Sequence, residues 1–284
     1  MSETLIQTDT LAAHLVDPAW VVFDCRFMLT DPAAGPKRYA EGHIPGARYL
    51  HLDKDLASPV TPDTGRHPLP DPARLAELLG RVGVDGHIQV VAYDDAGGTY
   101  AARLWWLLRW LGHQQAAVLD GGWQRWLQEG RPVTTELPNP EPRKLTVQLQ
   151  TSMWVTTAEV LELVLGRKRG RLMDARGASR YRGEEEPIDP VAGHVPGAIN
   201  LPFTENLAAD GRFKEPAVLA RRFEQALAGL SPTRAISMCG SGVTACHNLL
   251  AMEMAGLSGA RLYAGSWSEW IRDASRPVAR GGDP

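Results

Sequence analysis

Ile236-Ser237-Met238-Cys239-Gly240-Ser241-Gly242-Val243-Thr244-Ala245-Cys246 reads as a short apolar strand, a tight glycine-bearing loop and the first turns of a helix. Cys239 stands where the strand gives way to the loop. Gly240 and Gly242 let the backbone curl behind it. Curled backbone N–H groups and a helix N-terminus both favour negative charge placed among them. The setting therefore favours the thiolate, the nucleophilic form of a cysteine. A buried structural cysteine needs no such surroundings, and the strand–Cys–Gly-x-Gly–helix pattern marks Cys239 as a candidate nucleophile.

Working outward from this loop, the chain proves to be written twice. Val21-Val22-Phe23-Asp24-Cys25-Arg26 recurs as Arg171-Leu172-Met173-Asp174-Ala175-Arg176. Arg38-Tyr39 and Gly42-His43-Ile44-Pro45-Gly46-Ala47 recur as Arg180-Tyr181 and Gly193-His194-Val195-Pro196-Gly197-Ala198. Val91-Ala92-Tyr93-Asp94 recurs as Ile236-Ser237-Met238-Cys239, and Gly122-Trp123-Gln124-Arg125-Trp126 as Ser266-Trp267-Ser268-Glu269-Trp270. Four matches in one order, at offsets of 142 to 151 residues, imply a tandem duplication. The expected division is residues 1–133, a linker over 134–153, and residues 154–284. Pro138, Pro140 and Pro142 suit an extended linker, with 145–149 returning as an extended segment.

Each copy alternates strand and helix signals. In the first, a short helix over 11–15 is capped by Thr8 or Asp9. Strands are expected at 21–23, 88–93 and 116–119, and helices at 72–79, 100–111 and from 122 to 128. In the second copy Thr156-Thr157-Ala158-Glu159 has the form of a capping box. Short apolar strands separated by helices predict an α/β fold: two tandem domains, each a parallel sheet with helices on both faces. Such sheets place ligand sites at the carboxyl ends of strands, where Cys239 falls.

Composition narrows the function classes. The chain has 284 residues, 44% hydrophobic and 22% charged, with a formal net charge of -3. No basic run with interleaved aromatics suggests nucleic-acid binding. No apolar run of about 18 residues suggests a membrane span. The first residues carry acids and no long apolar stretch, so no targeting peptide is expected. Three cysteines, Cys25, Cys239 and Cys246, argue against a disulfide framework and for a reducing, cytoplasmic setting. His43, His51 and His67 lack metal-ligand spacing, so no metal is expected.

The two loops are not equivalent. Asp94-Asp95-Ala96-Gly97-Gly98 stands in the first copy where Cys239-Gly240-Ser241-Gly242-Val243 stands in the second, so only the second can do sulfur chemistry. The duplication, the Gly-His-Ile/Val-Pro-Gly-Ala turns and the Cys-Gly-Ser-Gly-Val-Thr loop together resemble the two-domain rhodanese-type sulfurtransferases over nearly the whole chain. The loop is most similar to that of the 3-mercaptopyruvate type; thiosulfate-using members carry cationic side chains there. The resemblance implies a covalent ping-pong enzyme without metal or organic cofactor. Cys239 takes sulfur from 3-mercaptopyruvate, or alternatively thiosulfate, becomes a persulfide, and passes the sulfur to cyanide, a thiol or a thioredoxin-like protein. The amides of Gly240, Ser241, Gly242, Val243 and Thr244 can cradle that anion.

By the same resemblance Arg180 grips the donor's anionic group, as a guanidinium fork does well. Asp53 and His67 match the pair that works with the loop hydroxyl, here Ser241, in a Ser–His–Asp relay. The mercaptopyruvate-type pattern places a second arginine after a Glu-Pro pair. Here Glu186-Pro187 is followed by Ile188, which leaves Arg66 and Arg182 as candidates to replace it. His43 and His194, and the pairs Asp24–Arg26 and Asp174–Arg176, occur in both copies and read as structural. Cys25 and Cys246 read as inert, and the tryptophans as packing. Two rival classes fit less well. A phosphatase of the related cysteine-loop fold needs a longer loop ending in arginine, where Thr244-Ala245 stands. A non-catalytic module would not keep the intact cysteine loop.

Overall fold

In a computed structural model, described here over residues 4–282, the chain separates into two compact units. Unit 1 comprises residues up to Ser58, Leu69–Gln150 and Asp210–Arg212; unit 2 comprises Pro59–Pro68, Thr151–Ala209 and Phe213 onward.

Unit 1 runs β1 (Leu5–Ile6), α1 (Thr8–Ala13), β2 (Trp20–Asp24), α2 (Ala34–Glu41), β3 (Arg48–Tyr49), α3 (Pro72–Arg81), β4 (Gln89–Tyr93), α4 (Ala101–Trp110), β5 (Ala116–Leu119) and α5 (Gly122–Gln128). Its strands pair in parallel in the order β1-β5-β4-β2-β3. Strands β4 and β5 are buried at nearly every position, as expected of a parallel sheet covered on both faces. Helix α3 starts at Pro72, with the Asp71 side chain accepting from the Arg74 amide. Helix α1 begins at Thr8, one turn earlier than its apolar residues suggest. Gln7 precedes it without a side-chain cap, and the Thr8 hydroxyl is bonded instead to Glu129.

Unit 2 repeats the plan: β6 (Trp154–Val155), α6 (Thr157–Val164), β7 (Arg171–Asp174), α7 (Ala178–Arg182), β8 (Ile199–Asn200), α8 (Pro216–Leu227), β9 (Ala235–Met238), α9 (Thr244–Met254), β10 (Arg261–Tyr263) and α10 (Ser266–Trp270). The strand order is β6-β10-β9-β7-β8, again parallel. Both halves of the Thr156–Glu159 capping box are formed. In this order the chain leaves β7 toward one edge and β9 toward the other. The loops after β7 and β9 therefore flank the point where strand order reverses, where a doubly wound sheet opens a crevice.

The segment over 134–153 is not a free linker. His43 and Thr134 exchange a pair of backbone bonds, and the Arg143 amide donates to Gly80 O at 2.8 Å. The Gln148 and Gln150 amides reach Leu111 O and Trp110 O, both at 2.8 Å. An extended, proline-rich strand has no internal hydrogen bonds, so it satisfies its backbone on the ends of α3 and α4. Residues 145–149 form no strand. The segment Pro59–Pro68 is the other departure, because it packs with unit 2 although it precedes most of unit 1. Among the described residues no helix is long and apolar enough to cross a membrane.

The duplicated motifs do the same work twice. Arg176 bonds Asp174 at 2.7 Å and reaches the Gly193 carbonyl at 2.8 Å, fastening the Gly-His-Val-Pro turn to the end of β7. Arg26 bonds Asp24 and the Gly42 carbonyl, both at 2.6 Å, in unit 1. His43 and His194 are buried, stacked on Tyr39 and Tyr181, and each bonds that tyrosine's carbonyl at 2.8 Å through Nδ1. Trp106, Trp126, Trp267 and Trp270 are fully buried core residues.

Candidate active site

Cys239 follows the last residue of β9, and α9 begins five residues later. The loop between them turns the Ser241 and Gly242 amides onto the Cys239 sulfur, at 3.4 and 3.1 Å. Gly242 has φ +78, and a Cβ there would lie 2.4 Å from the Ala264 carbonyl oxygen. Only glycine meets both conditions at once. Helix α10 clamps the loop from the far side. The Cys239 amide donates to Ser266 Oγ at 3.0 Å, and the Trp267 and Ser268 amides donate to Cys239 O at 3.0 Å and Gly240 O at 2.9 Å. The Cys246 thiol, buried on α9, donates to Gly242 O at 3.3 Å and props the loop from behind.

Unit 1 shows what such a loop binds. Its Asp94 carboxylate, fully buried, accepts the amides of Ala96, Gly98, Tyr100 and Ala101 at 2.7 to 2.9 Å. The Trp123 amide clamps Asp94 O at 2.9 Å, as Trp267 clamps Cys239 O. The same backbone bowl therefore holds a carboxylate in one unit and presents a sulfur in the other.

Within unit 2 the segment 59–68 brings two further groups to the loop. His67 Nδ1 shares a 2.7 Å hydrogen bond with Ser241 Oγ. Cys239, Ser241 and His67 are 2%, 6% and 4% exposed, so this polar pair is screened from solvent. The segment is rooted on α10: the Arg66 amide donates to Ser268 Oγ at 3.0 Å, and a Cβ on Gly65 would lie 2.5 Å from Gly265 O. Asp53 lies in unit 1, exposed, its amide donating to His51 Nδ1 at 3.1 Å.

Arg180, on α7, stands over the loop; its Nη1 and Nη2 lie 3.6 Å from where a Gly240 Cβ would be. Its guanidinium bonds Glu186 through Nε and Nη2, at 2.7 Å for the shortest contact, and Asp189 at 3.1 Å. The matching Arg38 of unit 1 pairs with Asp95 at 2.7 Å, on the position that Gly240 fills in unit 2. The sequence marks Glu186 only as half of the Glu186-Pro187 pair and does not mark Asp189, although an acidic run directly after an arginine-bearing helix is the available signal. Burial pushes the Glu186 carboxyl up, but Arg180 and the amides of Asp189 and Ile188 outweigh it and hold the group below its ordinary value. For Asp189 burial prevails over Arg66 and Arg180, and its carboxyl is pushed up. Burial opposes the Arg176 charge, yet Asp174, Glu186 and Cys239 together push its guanidinium up. The site is thus a thiol in an amide bowl, a screened Ser–His pair and a guanidinium cluster, a set suited to a reactive sulfur anion and an anionic small molecule.

The rhodanese-like domain matches twice, over residues 7–129 and 156–273. The chain is 49% identical over 282 residues to a probable 3-mercaptopyruvate sulfurtransferase of Pseudomonas aeruginosa, covering 99% of each. It is 37% identical to a thiosulfate sulfurtransferase of Rattus norvegicus, over 95% of this chain and 92% of that one. Among solved structures it is similar to a 3-mercaptopyruvate sulfurtransferase from Leishmania major, with TM-score 0.84, 29% identity, and coverage of 97% of this chain and 75% of that one. The Escherichia coli counterpart gives TM-score 0.78 at 30% identity, covering 94% of this chain and all of that one.

Proposed function

The chain belongs to the rhodanese family and is a sulfurtransferase; on that premise we propose that its donor is 3-mercaptopyruvate and that sulfur travels on Cys239. The observation that carries the donor assignment is the hydroxyl–imidazole pair, Ser241 Oγ to His67 Nδ1 at 2.7 Å, standing beside the sulfur. Releasing sulfur from mercaptopyruvate leaves an enolate that must gain a proton, and a serine hydroxyl backed by histidine can supply one.

The Cys239 thiolate attacks the donor's sulfur. The carbon–sulfur bond breaks, its electron pair leaves on carbon as the enolate of pyruvate, and Ser241, relayed by His67, protonates it to pyruvate. Cys239 is left as a persulfide, whose terminal sulfur carries the negative charge. The Ser241 and Gly242 amides, already directed at the cysteine sulfur, support an anion there. An acceptor nucleophile, cyanide or a thiol, then takes the outer sulfur, and the thiolate returns. Arg180 holds the donor's carboxylate. Asp53 enters the relay through the family resemblance. A reducing compartment such as the cytoplasm, with a thioredoxin-like protein among the acceptors, completes the proposal, and the three free cysteines support it.

Steady-state sulfur transfer to cyanide, with mercaptopyruvate and thiosulfate compared at equal concentration, tests the assignment. A large excess of kcat/KM for mercaptopyruvate is expected; comparable or greater activity with thiosulfate reverses the choice of donor. Cys239→Ser abolishes turnover with either donor, and mass spectrometry of donor-treated wild type finds one added sulfur at Cys239. Retained turnover in Cys239→Ser sinks the mechanism.

A further inference from the structure

A cleft of about 280 Å³ opens in unit 1, and every residue that lines it belongs to that unit. The connection from α1 to β2, the start of β3, Gly83 and the proline-rich segment 138–141 surround it. Arg48, the first residue of β3, brings a charge into it. The Arg48 Nε is buried and has no hydrogen-bond partner among the described residues. A Cβ built on Gly83, in the cleft wall, would lie 3.5 Å from Arg48 Nη2, so the end of the guanidinium borders the same space. Burial pushes this guanidinium below its ordinary value; Tyr39 opposes the fall, and Arg143, a second arginine of the lining, adds to it. Among the described residues no carboxylate forms an ion pair with Arg48.

The fold does not need a charge at this position. In unit 2 Ile199 stands at the matching place, after the same kind of Gly-His-Val-Pro-Gly-Ala turn. Ile199 pairs with Met173 of β7 as Arg48 pairs with Phe23 of β2. An apolar side chain therefore completes one sheet edge where a half-buried, unpaired cation stands on the other, and such a cation costs stability. The other charged groups of the lining are engaged or exposed. Asp17 accepts the Ala19 amide at 2.9 Å and bonds His14 at 3.1 Å. Arg143 pairs with Asp85 at 3.0 Å, and Glu141 is exposed. The buried charge left without a partner is one positive unit. Beside it, His14 and Trp20 stack with ring centroids 4.1 Å apart and planes 6° apart, which gives the cleft an aromatic wall.

We propose that this cleft binds a small organic carboxylate, with its head on Arg48 and its apolar body against His14 and Trp20. A singly charged head matches the single unpaired guanidinium, whose fork holds a carboxylate in a bidentate way. Arg143 adds a second positive group nearby without demanding a second negative charge, since Asp85 already balances it. The volume is far larger than a carboxylate alone occupies and leaves room for a body attached to it. Binding here forms only ionic hydrogen bonds and apolar contacts, and it involves no group of the cysteine loop.

Titration of the isotopically labelled full chain with benzoate, followed by the amide signals in two-dimensional NMR, tests the proposal. Saturable shifts are expected at Gly46, Gly83 and Glu141. Acetate carries the head alone and benzyl alcohol the body alone, and each is expected to bind about tenfold or more weakly than benzoate. Arg48→Ile, which copies the residue of unit 2, is expected to weaken benzoate by about tenfold or more, the scale of a lost charge-assisted hydrogen bond. Its melting temperature is expected to equal or exceed that of the wild type, because it removes an unpaired charge. Arg48→Lys keeps the charge, loses the fork and is expected to fall between; it serves if the isoleucine variant does not fold. Shifts confined to the Ser241 and Gly242 amides would place benzoate at the cysteine loop and overturn the proposal. Benzyl alcohol binding as tightly as benzoate would overturn the anion site, and acetate binding as tightly would overturn the organic body. Unchanged benzoate affinity in both Arg48 variants would remove Arg48 from the site. A melting temperature lowered by several degrees in Arg48→Ile would make Arg48 a structural residue instead.

Discussion

Single residues set the charge balance around the cysteine loop. Glu186 is the clearest case, since its carboxylate has two arginines and two amides on it while being almost inaccessible. Its folded-state carboxyl titrates below the ordinary value of 4.5. The unfolded chain therefore binds a proton before the folded one as pH falls, and the stability that Glu186 contributes is present above the ordinary value and lost on acidification through the folded one. Glu186→Gln is expected to cost about 2 kcal/mol or more at pH 7, because it leaves buried guanidiniums under-partnered. That cost should shrink as pH falls through the carboxylate range; urea unfolding at several pH values measures it, and a pH-independent cost would contradict the argument. Cys239, Ser241, His67 and Arg180 could be named from the sequence because each falls in a recognisable motif. The pairing of Arg66 with Asp189 could not, since 123 residues separate them and no local pattern connects them.

At the scale of elements, the loop between β9 and α9 depends on backbone geometry more than on side chains. Gly242→Ala would force a Cβ into the Ala264 carbonyl at a positive φ. A loss of about 2 to 4 kcal/mol in stability, from strain and overlap together, is expected, together with a fall in kcat as the amides turn off the sulfur. Denaturant unfolding and single-turnover kinetics check this, and an active, fully stable variant would show that the loop can be built without glycine. The central strands and long helices were legible because their apolar runs are long enough to carry a period. The two-residue edge strands β1, β3, β6 and β8, and the five-residue α7, are too short for any period. They are fixed by their neighbours in the sheet, and α7 was visible only through its Arg180-Tyr181 repeat.

Over the whole molecule, duplication is the most legible property, because near-identical turns at a near-constant offset survive even where chemistry has diverged. What the sequence could not show was that residues 59–68 pack with unit 2. That depends on Gly65 approaching the Gly265 carbonyl and on Arg66 and His67 finding partners on α10 and its neighbours. The divergence of the two units also predicts a separation of roles. Asp94→Ala strands four amides in unit 1, those of Gly98 and Ala101 buried. It is expected to reduce stability by about 3 kcal/mol or more, since unpaired buried donors carry their full desolvation cost. The donor KM should be unaltered, as Asp94 belongs to the unit without the cysteine. A changed KM in a protein of normal stability would show that this first loop takes part in catalysis.

The aspartate in that first bowl has a consequence for time rather than energy. One bowl is permanently loaded, with an anion the chain can never release; in the proposed mechanism the other is loaded and emptied once in every turnover. A protein with both carries its own calibration standard. Amide hydrogen exchange at Ala96, Gly98, Tyr100 and Ala101 supplies the fixed rate of a filled bowl, and exchange at Ser241 and Gly242, followed as sulfur is added and withdrawn, reads out against it how full the second bowl is.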